Sequence, residues 1–146
     1  MKQRASIIMI GVDNLEAMKQ FYIEKFEWQI EAQASDIIFF KLNGFLFGLY
    51  GRKNLANFVG TTGERSGFKP YLLAYMVSSK LIVKQLYKQL KTRGVQIIGE
   101  PEESSFGGYY FLIADVEENV WEIAYNPFIK LDKKGNVVAH QNIDKL

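Results

Sequence analysis

Few side chains of this sequence could do acid–base or metal chemistry, and one carboxylate among them has unusual neighbours. Residues 119–128 read NVWEIAYNPF, which places Glu122 inside an otherwise apolar run. Ionised carboxylates are rarely buried without a partner, because taking one out of water is costly. Three roles are open for it: to accept a hydrogen bond from Lys41, a tyrosine or a backbone N–H, to anchor an amine, hydroxyl or guanidinium of a ligand, or to act as a catalytic acid or base.

The rest of the composition excludes most other chemistries. The 146 residues contain no cysteine, which removes disulfides, thiolate nucleophiles and thiolate metal ligands. His140 is the only histidine, so a Ser-His-Asp triad is not expected, and a lone histidine near the end of the chain is most simply a surface residue. The glycine-rich GTTGERSG segment lacks the Gly-Lys-Ser/Thr ending of a phosphate-binding loop.

Charge and hydropathy argue against nucleic-acid and membrane partners. Lysine and arginine number 18 against 16 aspartate and glutamate, and residues 127–146 contribute the excess, so no basic face is expected. The apolar run near the N-terminus is far shorter than the roughly 20 residues that span a bilayer. We therefore expect a cytoplasmic protein that folds as a single domain over residues 1–146.

The predicted strands and helices follow the same order in both halves of the chain, and Glu122 lies on one of these strands. Residues 5–12 predict a strand, Asp13 or Asn14 can cap the next helix, and three strands come after it, the last two joined by Asn43-Gly44, a strong hairpin signal. The second half repeats this order and carries Glu122 on its final strand.

The two halves also align residue by residue. The MKQFY segment (18–22) matches VKQLY (83–87) at an offset of 65, and the final strands match at an offset of 74, where Phe47 meets Trp121. The nine additional residues of the second half lie between these matches, around EPEESSFGG. Matching residues in a matching order of elements favour an internal duplication.

These patterns predict an α+β fold made of two βαβββ modules. The first module covers 5–51 and the second 71–127. Residues 52–70 join them and form either a short helix plus linker or a flap over a site. In the tail, 128–146, the turn-forming DKKGN lies between two short apolar runs, which predicts a C-terminal hairpin.

Two stretches carry a resemblance to the vicinal oxygen chelate superfamily, the group of glyoxalase I, bleomycin-resistance proteins and extradiol dioxygenases. IIMIGVDNLEAMKQFYIEKFEW resembles the family's first strand, Asp-Leu-Glu helix start and Phe-Tyr pair, and GGYYFLIADVEENVWEIAYNP resembles its Gly-Gly strand, Asp-Pro-Asp-Gly-Asn turn and Trp-Glu-Ile strand. The turn departs from the family pattern because DVEEN lacks the proline and the glycine, and we expect Asn119 to take the left-handed conformation there.

The resemblance implies two curled mixed sheets that face each other across a cleft, with metal ligands, where a member has them, on the first and last strands of each module. Carried onto this chain, those positions are Ile7, Gly48, Leu72 and Glu122. Three of the four have no side chain that can coordinate a metal, and one carboxylate will not hold a divalent ion. We therefore expect no cofactor. The alternative is a divalent metal held by Glu122 with ligands from elsewhere, for which His140 is a candidate.

The resemblance and side-chain alternation together predict a soft, apolar ligand site. Trp121, on the strand face opposite Glu122, is assigned to packing. The predicted ligand-binding residues are Glu122, Tyr50, Tyr110, Phe39, Met9, Met76 and Phe106.

The leading hypothesis is a metal-free protein of this superfamily that binds an apolar or aromatic small molecule, as a sequestering resistance protein does. The alternatives are a metal-dependent lyase, isomerase or dioxygenase that uses Glu122, and a non-catalytic interaction domain. A homodimer is expected by analogy, because exposed sheet edges and the tail hairpin can pair with a second copy.

Overall fold

Two units of the same architecture succeed each other along the chain, Met1–Lys69 and Pro70–Leu146. They are seen in a computed structural model that describes residues 3, 5–64, 67, 69 and 71–142. Each unit contains a four-stranded mixed sheet whose strands and first helix keep the predicted order, strand, helix and three strands. The predicted α+β fold class is therefore confirmed.

The first unit has four strands and two helices. In chain order they are β1 (Ile7–Val12), α1 (Leu15–Phe26), β2 (Ile30–Gln33), β3 (Ile37–Lys41), β4 (Leu46–Gly51) and α2 (Arg52–Val59). The sheet order is β1-β4-β3-β2, in which β1 is parallel to β4 and the other pairs are antiparallel. Of the two alternatives for residues 52–70, the short helix is present as α2.

The start of α1 distinguishes between the two predicted caps. Asn14 Oδ1 accepts a hydrogen bond from the Ala17 backbone N–H at 2.9 Å, so Asn14 is the capping residue. Asp13 instead binds Arg52 of α2 through two bonds of 2.7 and 2.8 Å, from Nε and Nη2. Asn14 thus caps α1, while Asp13 links the segment before α1 to the start of α2.

An aromatic core fixes which face of the first sheet is turned toward α1. Tyr22 of α1 is fully buried, and its ring lies 5.5 Å from the ring of Phe47 and 5.7 Å from that of Phe40. Trp28 stacks on the same tyrosine at 5.2 Å. Since side chains alternate along a strand, Gly48 and Phe39 point to the opposite face of the sheet.

The second unit adds a hairpin to the same plan. Its elements are β5 (Leu73–Met76), α3 (Lys80–Thr92), β6 (Gln96–Glu103), β7 (Tyr109–Ala114), β8 (Val120–Tyr125), β9 (Ile129–Leu131) and β10 (Val137–His140). The main sheet has the order β5-β8-β7-β6, with β5 parallel to β8. Strands β9 and β10 form the predicted C-terminal hairpin, whose turn is held by Asp132 Oδ1, which accepts the N–H groups of Lys134 and Asn136.

Strand pairing reproduces the duplication. Met9 is opposite Gly48 in the first sheet and Ala74 is opposite Glu122 in the second, in agreement with the offsets of 65 and 74. Phe39 and Leu112, which pair with Gly48 and Glu122 from the other side, are separated by 73 residues. Eight of the nine additional residues of the second half therefore precede β7, and one lengthens the turn between β7 and β8.

That longer turn corrects one expectation. Asp115 is buried, and its Oδ1 accepts the backbone N–H groups of Glu117 and Asn119 at 3.0 and 2.9 Å. The residue in the left-handed region is Glu118, at φ 62°, and not Asn119. Glu118 occupies the place that a glycine has in the family's turn. The turn that begins at Asp132 does have a glycine at the equivalent position, Gly135, with φ 82°.

Within the described part of the chain, no helix is long and apolar enough to cross a membrane. The predicted division into one domain with a tail, and the cytoplasmic location, stay predictions.

Candidate functional site

Glu122 lies on the face of the second sheet that is turned away from α3. The opposite face packs on this helix, since the ring of Phe111 on β7 lies 5.4 Å from that of Tyr87 on α3. Trp121 and Ile123, the chain neighbours of Glu122, are both buried, which confirms that Trp121 is a packing residue. Side-chain alternation directs Glu122 to the other side of this sheet, the face that does not pack on α3, and we use the name open face for it.

The immediate neighbours of Glu122 on the open face are apolar. Leu112 of β7 and Ala74 of β5 are its direct partners across the two strand pairs. Ala124, two residues along β8, is buried and pairs with Met76 and Tyr110. A carboxylate in these surroundings loses part of its hydration, and these apolar neighbours offer it no positive charge in place of the lost water.

The electrostatics of Glu122 reflect this loss of water. Burial raises the pKa of Glu122 above the ordinary glutamate value, and no cation among the described residues lowers it again. Among the described residues of its unit, none donates a hydrogen bond to the Glu122 carboxylate or forms an ion pair with it. One role considered for Glu122 was to accept a hydrogen bond from a neighbouring side chain or backbone N–H. The described residues of the second unit supply no such donor.

Tyr110 is the polar neighbour on the open face. Its hydroxyl group donates a hydrogen bond to Glu102 Oε1 on β6, directly across the strand pair. This bond, together with partial burial and the charges of Glu102 and Glu122, raises the pKa of Tyr110. Because a phenol has one hydrogen to donate, the engaged oxygen of Tyr110 can only accept a further bond.

The open face is thus lined by hydrogen-bond acceptors. An ionised carboxylate is an acceptor only, and the Tyr110 oxygen has become one. A molecule that lies against Leu112 and reaches Glu122 must supply the donor itself.

Phe106 lies beside the start of β7. Its ring packs 6.1 Å from that of Phe128, at the base of the C-terminal hairpin, and lies over Gly108, where a Cβ would come within 2.8 Å of Phe106 Cε2. Of the predicted ligand residues, Glu122, Tyr110 and Met76 thus share one face of the second sheet, and Phe106 lies beside the start of β7.

The other predicted residues, Met9, Phe39 and Tyr50, belong to the first unit. Met9 and Phe39 meet over Gly48, where a Cβ would lie 3.2 Å from Met9 Cγ and 3.1 Å from Phe39 Cε1. Tyr50 points to the same face and is paired with Gly11. The position equivalent to Glu122 is therefore filled by neighbouring side chains.

The family's metal positions offer one possible ligand. Ile7 and Leu72 are apolar and about half exposed, and Gly48 is covered by its neighbours. In the parts of the chain that the structure describes, no group of three or more His, Cys, Asp or Glu side chains is arranged to hold a metal ion. His140 is exposed on β10, with Nδ1 2.6 Å from the Gln141 carbonyl oxygen.

Sequence reasoning missed Glu102 and Leu112. The alternation of glutamates along GEPEE could have suggested that Glu100 and Glu102 share a face. The partner of Glu102 could not be predicted, because the pairing of β6 with β7 shifts twice, between Ile97 and Gly99 and again before Glu102. Such bulges change the facing residues without a unique signal in the sequence.

Comparison with known proteins agrees with the fold. Residues 4–123 match the model of the Glyoxalase/Bleomycin resistance protein/Dioxygenase superfamily. A solved structure of a glyoxalase-related enzyme from Fulvimarina pelagi is 30% identical, covers 94% of this chain and 99% of its own, and superposes with a TM-score of 0.83.

More distant structures share the fold. A glyoxalase/bleomycin resistance protein/dioxygenase family enzyme from Burkholderia phytofirmans PsJN is 24% identical over 82% of this chain and 96% of its own, with a TM-score of 0.70. Lactoylglutathione lyase from Agrobacterium tumefaciens is 14% identical over 85% of this chain and 94% of its own, with a TM-score of 0.68. No curated protein matches the sequence.

Proposed function

Because the chain belongs to the glyoxalase/bleomycin resistance protein/dioxygenase superfamily, we propose that it binds an apolar or aromatic small molecule on the open face around Glu122, without a metal. The binding would serve to sequester the molecule, as in a resistance protein. The observation that carries this proposal is a half-buried carboxylate whose pKa is raised by burial, with an apolar residue on either side.

The chemistry of the face defines the ligand. Leu112, Ala74 and the ring of Tyr110 suit an apolar or aromatic body. Glu122 and the engaged oxygen of Tyr110 suit a donor group, which is an amine, a hydroxyl or a guanidinium. A charged donor gains most, since hydrogen bonds between ionised partners are about twice as strong as neutral ones.

Three probes of the same size test this proposal: benzylammonium, benzyl alcohol and benzoate. Binding is followed by NMR, through the shifts of the Tyr110, Leu112 and Glu122 amides. We expect benzylammonium to bind best and benzoate not to bind. The Glu122→Gln variant should weaken benzylammonium about tenfold, which corresponds to one charged hydrogen bond.

Glu24→Gln is the matched control, because it removes the same charge from an exposed position on α1. It should leave all three affinities unchanged. If none of the probes, nor a wider set of aromatic amines and alcohols, shifts these amides, the binding proposal is wrong and a non-catalytic interaction domain takes its place.

A metal-dependent lyase, isomerase or dioxygenase is the second candidate. What favours it is the family resemblance, which implies that Glu122 occupies a position where metal-dependent members have a ligand. Elemental analysis of the purified protein separates the two proposals. If the wild type contains stoichiometric metal and Glu122→Ala loses it, the metal-free proposal is wrong and this second candidate takes its place.

We also propose a homodimer. Strand β10 is exposed along its whole length, including Val137 and Val138, and the edge of a two-stranded sheet can pair with another chain. Light scattering at micromolar concentration tests the assembly. A monomer at every concentration would exclude it.

A further inference from the structure

The turn between β3 and β4 has the features of a chemically reactive site. We propose that Asn43 undergoes spontaneous deamidation through attack by the backbone nitrogen of Gly44. Both residues are exposed. Gly44 has φ 86°, and beyond its two chain neighbours nothing lies within 4 Å of the place where a Cβ would be, so no more distant side chain crowds this position.

Asn43 differs from the other asparagines in the identity of the next residue. Seven more asparagines are present, and each precedes Leu, Phe, Val, Ile or Pro. Asn43 is the only one that precedes glycine. A side chain on the next residue crowds the attacking nitrogen, and proline has no N–H at all.

Asn43 also differs from five other asparagines in its hydrogen bonds. The side chain of Asn14 accepts from Ala17 N and that of Asn126 from Phe128 N, both at 2.9 Å. The side-chain amides of Asn54, Asn119 and Asn136 donate to the carboxylates of Asp36, Asp115 and Asp132. By contrast, within the residues that the structure describes, neither the Asn43 side chain nor the Gly44 N–H has a hydrogen-bond partner. The amide carbon of Asn43 is therefore free to turn toward the Gly44 nitrogen.

The reaction needs only water. The Gly44 backbone nitrogen loses its proton to solvent base and bonds to Asn43 Cγ, which closes a five-membered imide. The bond from Cγ to Nδ2 breaks, and the nitrogen leaves as ammonia with protons taken from solvent. Water then adds to one of the two imide carbonyl carbons and opens the ring, which gives aspartate or isoaspartate. No oxidation or reduction takes place.

The product would change the hairpin that holds Phe39 over Gly48. Aspartate adds a negative charge to the turn, and isoaspartate adds a methylene group to its backbone. Short turns set the register of a hairpin, and here that register places Phe39 opposite Gly48.

The full chain is incubated in its folded state at neutral and at mildly alkaline pH, and peptides that contain each asparagine are monitored by mass spectrometry. Deamidation adds roughly 1 Da, and fragmentation separates aspartate from isoaspartate. We expect Asn43 to react about tenfold or more faster than Asn57, which is also exposed but precedes Phe58. Its rate should rise with pH, because the attacking nitrogen must lose a proton.

Two variants complete the test. Gly44→Ala should slow the reaction at Asn43 about tenfold, although its left-handed backbone disfavours alanine. Asn43→Gln preserves the amide but requires a six-membered ring, so the early mass gain should disappear. The proposal is overturned if Asn43 reacts no faster than Asn57, or if the early mass gain persists in Asn43→Gln.

Discussion

Glu122 and Leu112 lie directly opposite each other on the antiparallel strands β8 and β7. Side chains in this relationship are about 5 Å apart at their Cβ atoms, so an isobutyl group occupies space that water would otherwise fill beside the carboxylate. This pairing contributes to the burial that raises the pKa of Glu122.

The first prediction concerns stability and pH. The folded-state pKa of Glu122 is raised by burial, so the folded protein binds this proton more tightly than the unfolded chain does. The stabilising contribution is complete below the unfolded glutamate pKa of about 4.3 and is lost as the pH rises through the folded pKa. Urea unfolding of Glu122→Gln should therefore show a smaller loss of stability from acidic to neutral pH than the wild type. Glu24→Gln should not, and equal slopes in wild type and Glu122→Gln would contradict the assignment.

The second prediction concerns Tyr110. The largest cause of its raised pKa is the hydrogen bond to Glu102, so Glu102→Gln should bring the pKa of Tyr110 back toward the ordinary tyrosine value. NMR titration of the Tyr110 ring carbon next to the oxygen measures this. Glu103→Gln removes the same charge from the next residue, which pairs with Lys80, and should leave the pKa of Tyr110 unchanged. A larger effect from Glu103→Gln would rule out the bond as the cause.

The third prediction concerns the crowding at Gly48. A methyl group there would lie 3.1–3.3 Å from atoms of Phe39 and Met9, which must shift slightly to admit it, so Gly48→Ala should lower the free energy of unfolding by about 1 kcal/mol, the lower end of the cost of overpacking. Gly99 is a matched control, because it also lies in a strand, but nothing is within 4 Å of its Cβ position. Gly99→Ala should be neutral or slightly stabilising in the same urea experiment. Equal effects at the two glycines would show that Phe39 and Met9 move aside without loss of stability.

The fourth prediction concerns the turn from Asp115 to Asn119. A residue with a side chain is held in the left-handed region at Glu118, which costs roughly 1–2 kcal/mol relative to glycine. Glu118→Gly should therefore raise the free energy of unfolding by about 1 kcal/mol. The gain is smaller than the strain that is removed, because glycine also increases the conformational entropy of the unfolded chain. Glu117→Gly, one residue earlier in the same turn, should lower it. Loss of stability in both variants would mean that the backbone at Glu118 is not strained.

The fold could be predicted because its signals are local or repeated. The apolar periodicity of α1, the Asn43-Gly44 turn and the two matching halves need no knowledge of distant contacts. The bond between Asp13 and Arg52 joins residues 39 positions apart, and the sequence offered Asp13 only as a possible cap. Glu102 and Tyr110 face each other only because the β6 strand slips past its partner near Pro101. Long-range pairs of this kind depend on register, which propensity does not determine.

The packing of Met9 and Phe39 over Gly48 gives the two halves of the duplication different freedom to change. In the first half, almost any new side chain at the central position would collide with two neighbours. In the second half, the same position carries a carboxylate that has no partner in its own sheet. Packing therefore restricts substitution at Gly48, whereas at Glu122 the restriction comes from the ligand that we propose it binds.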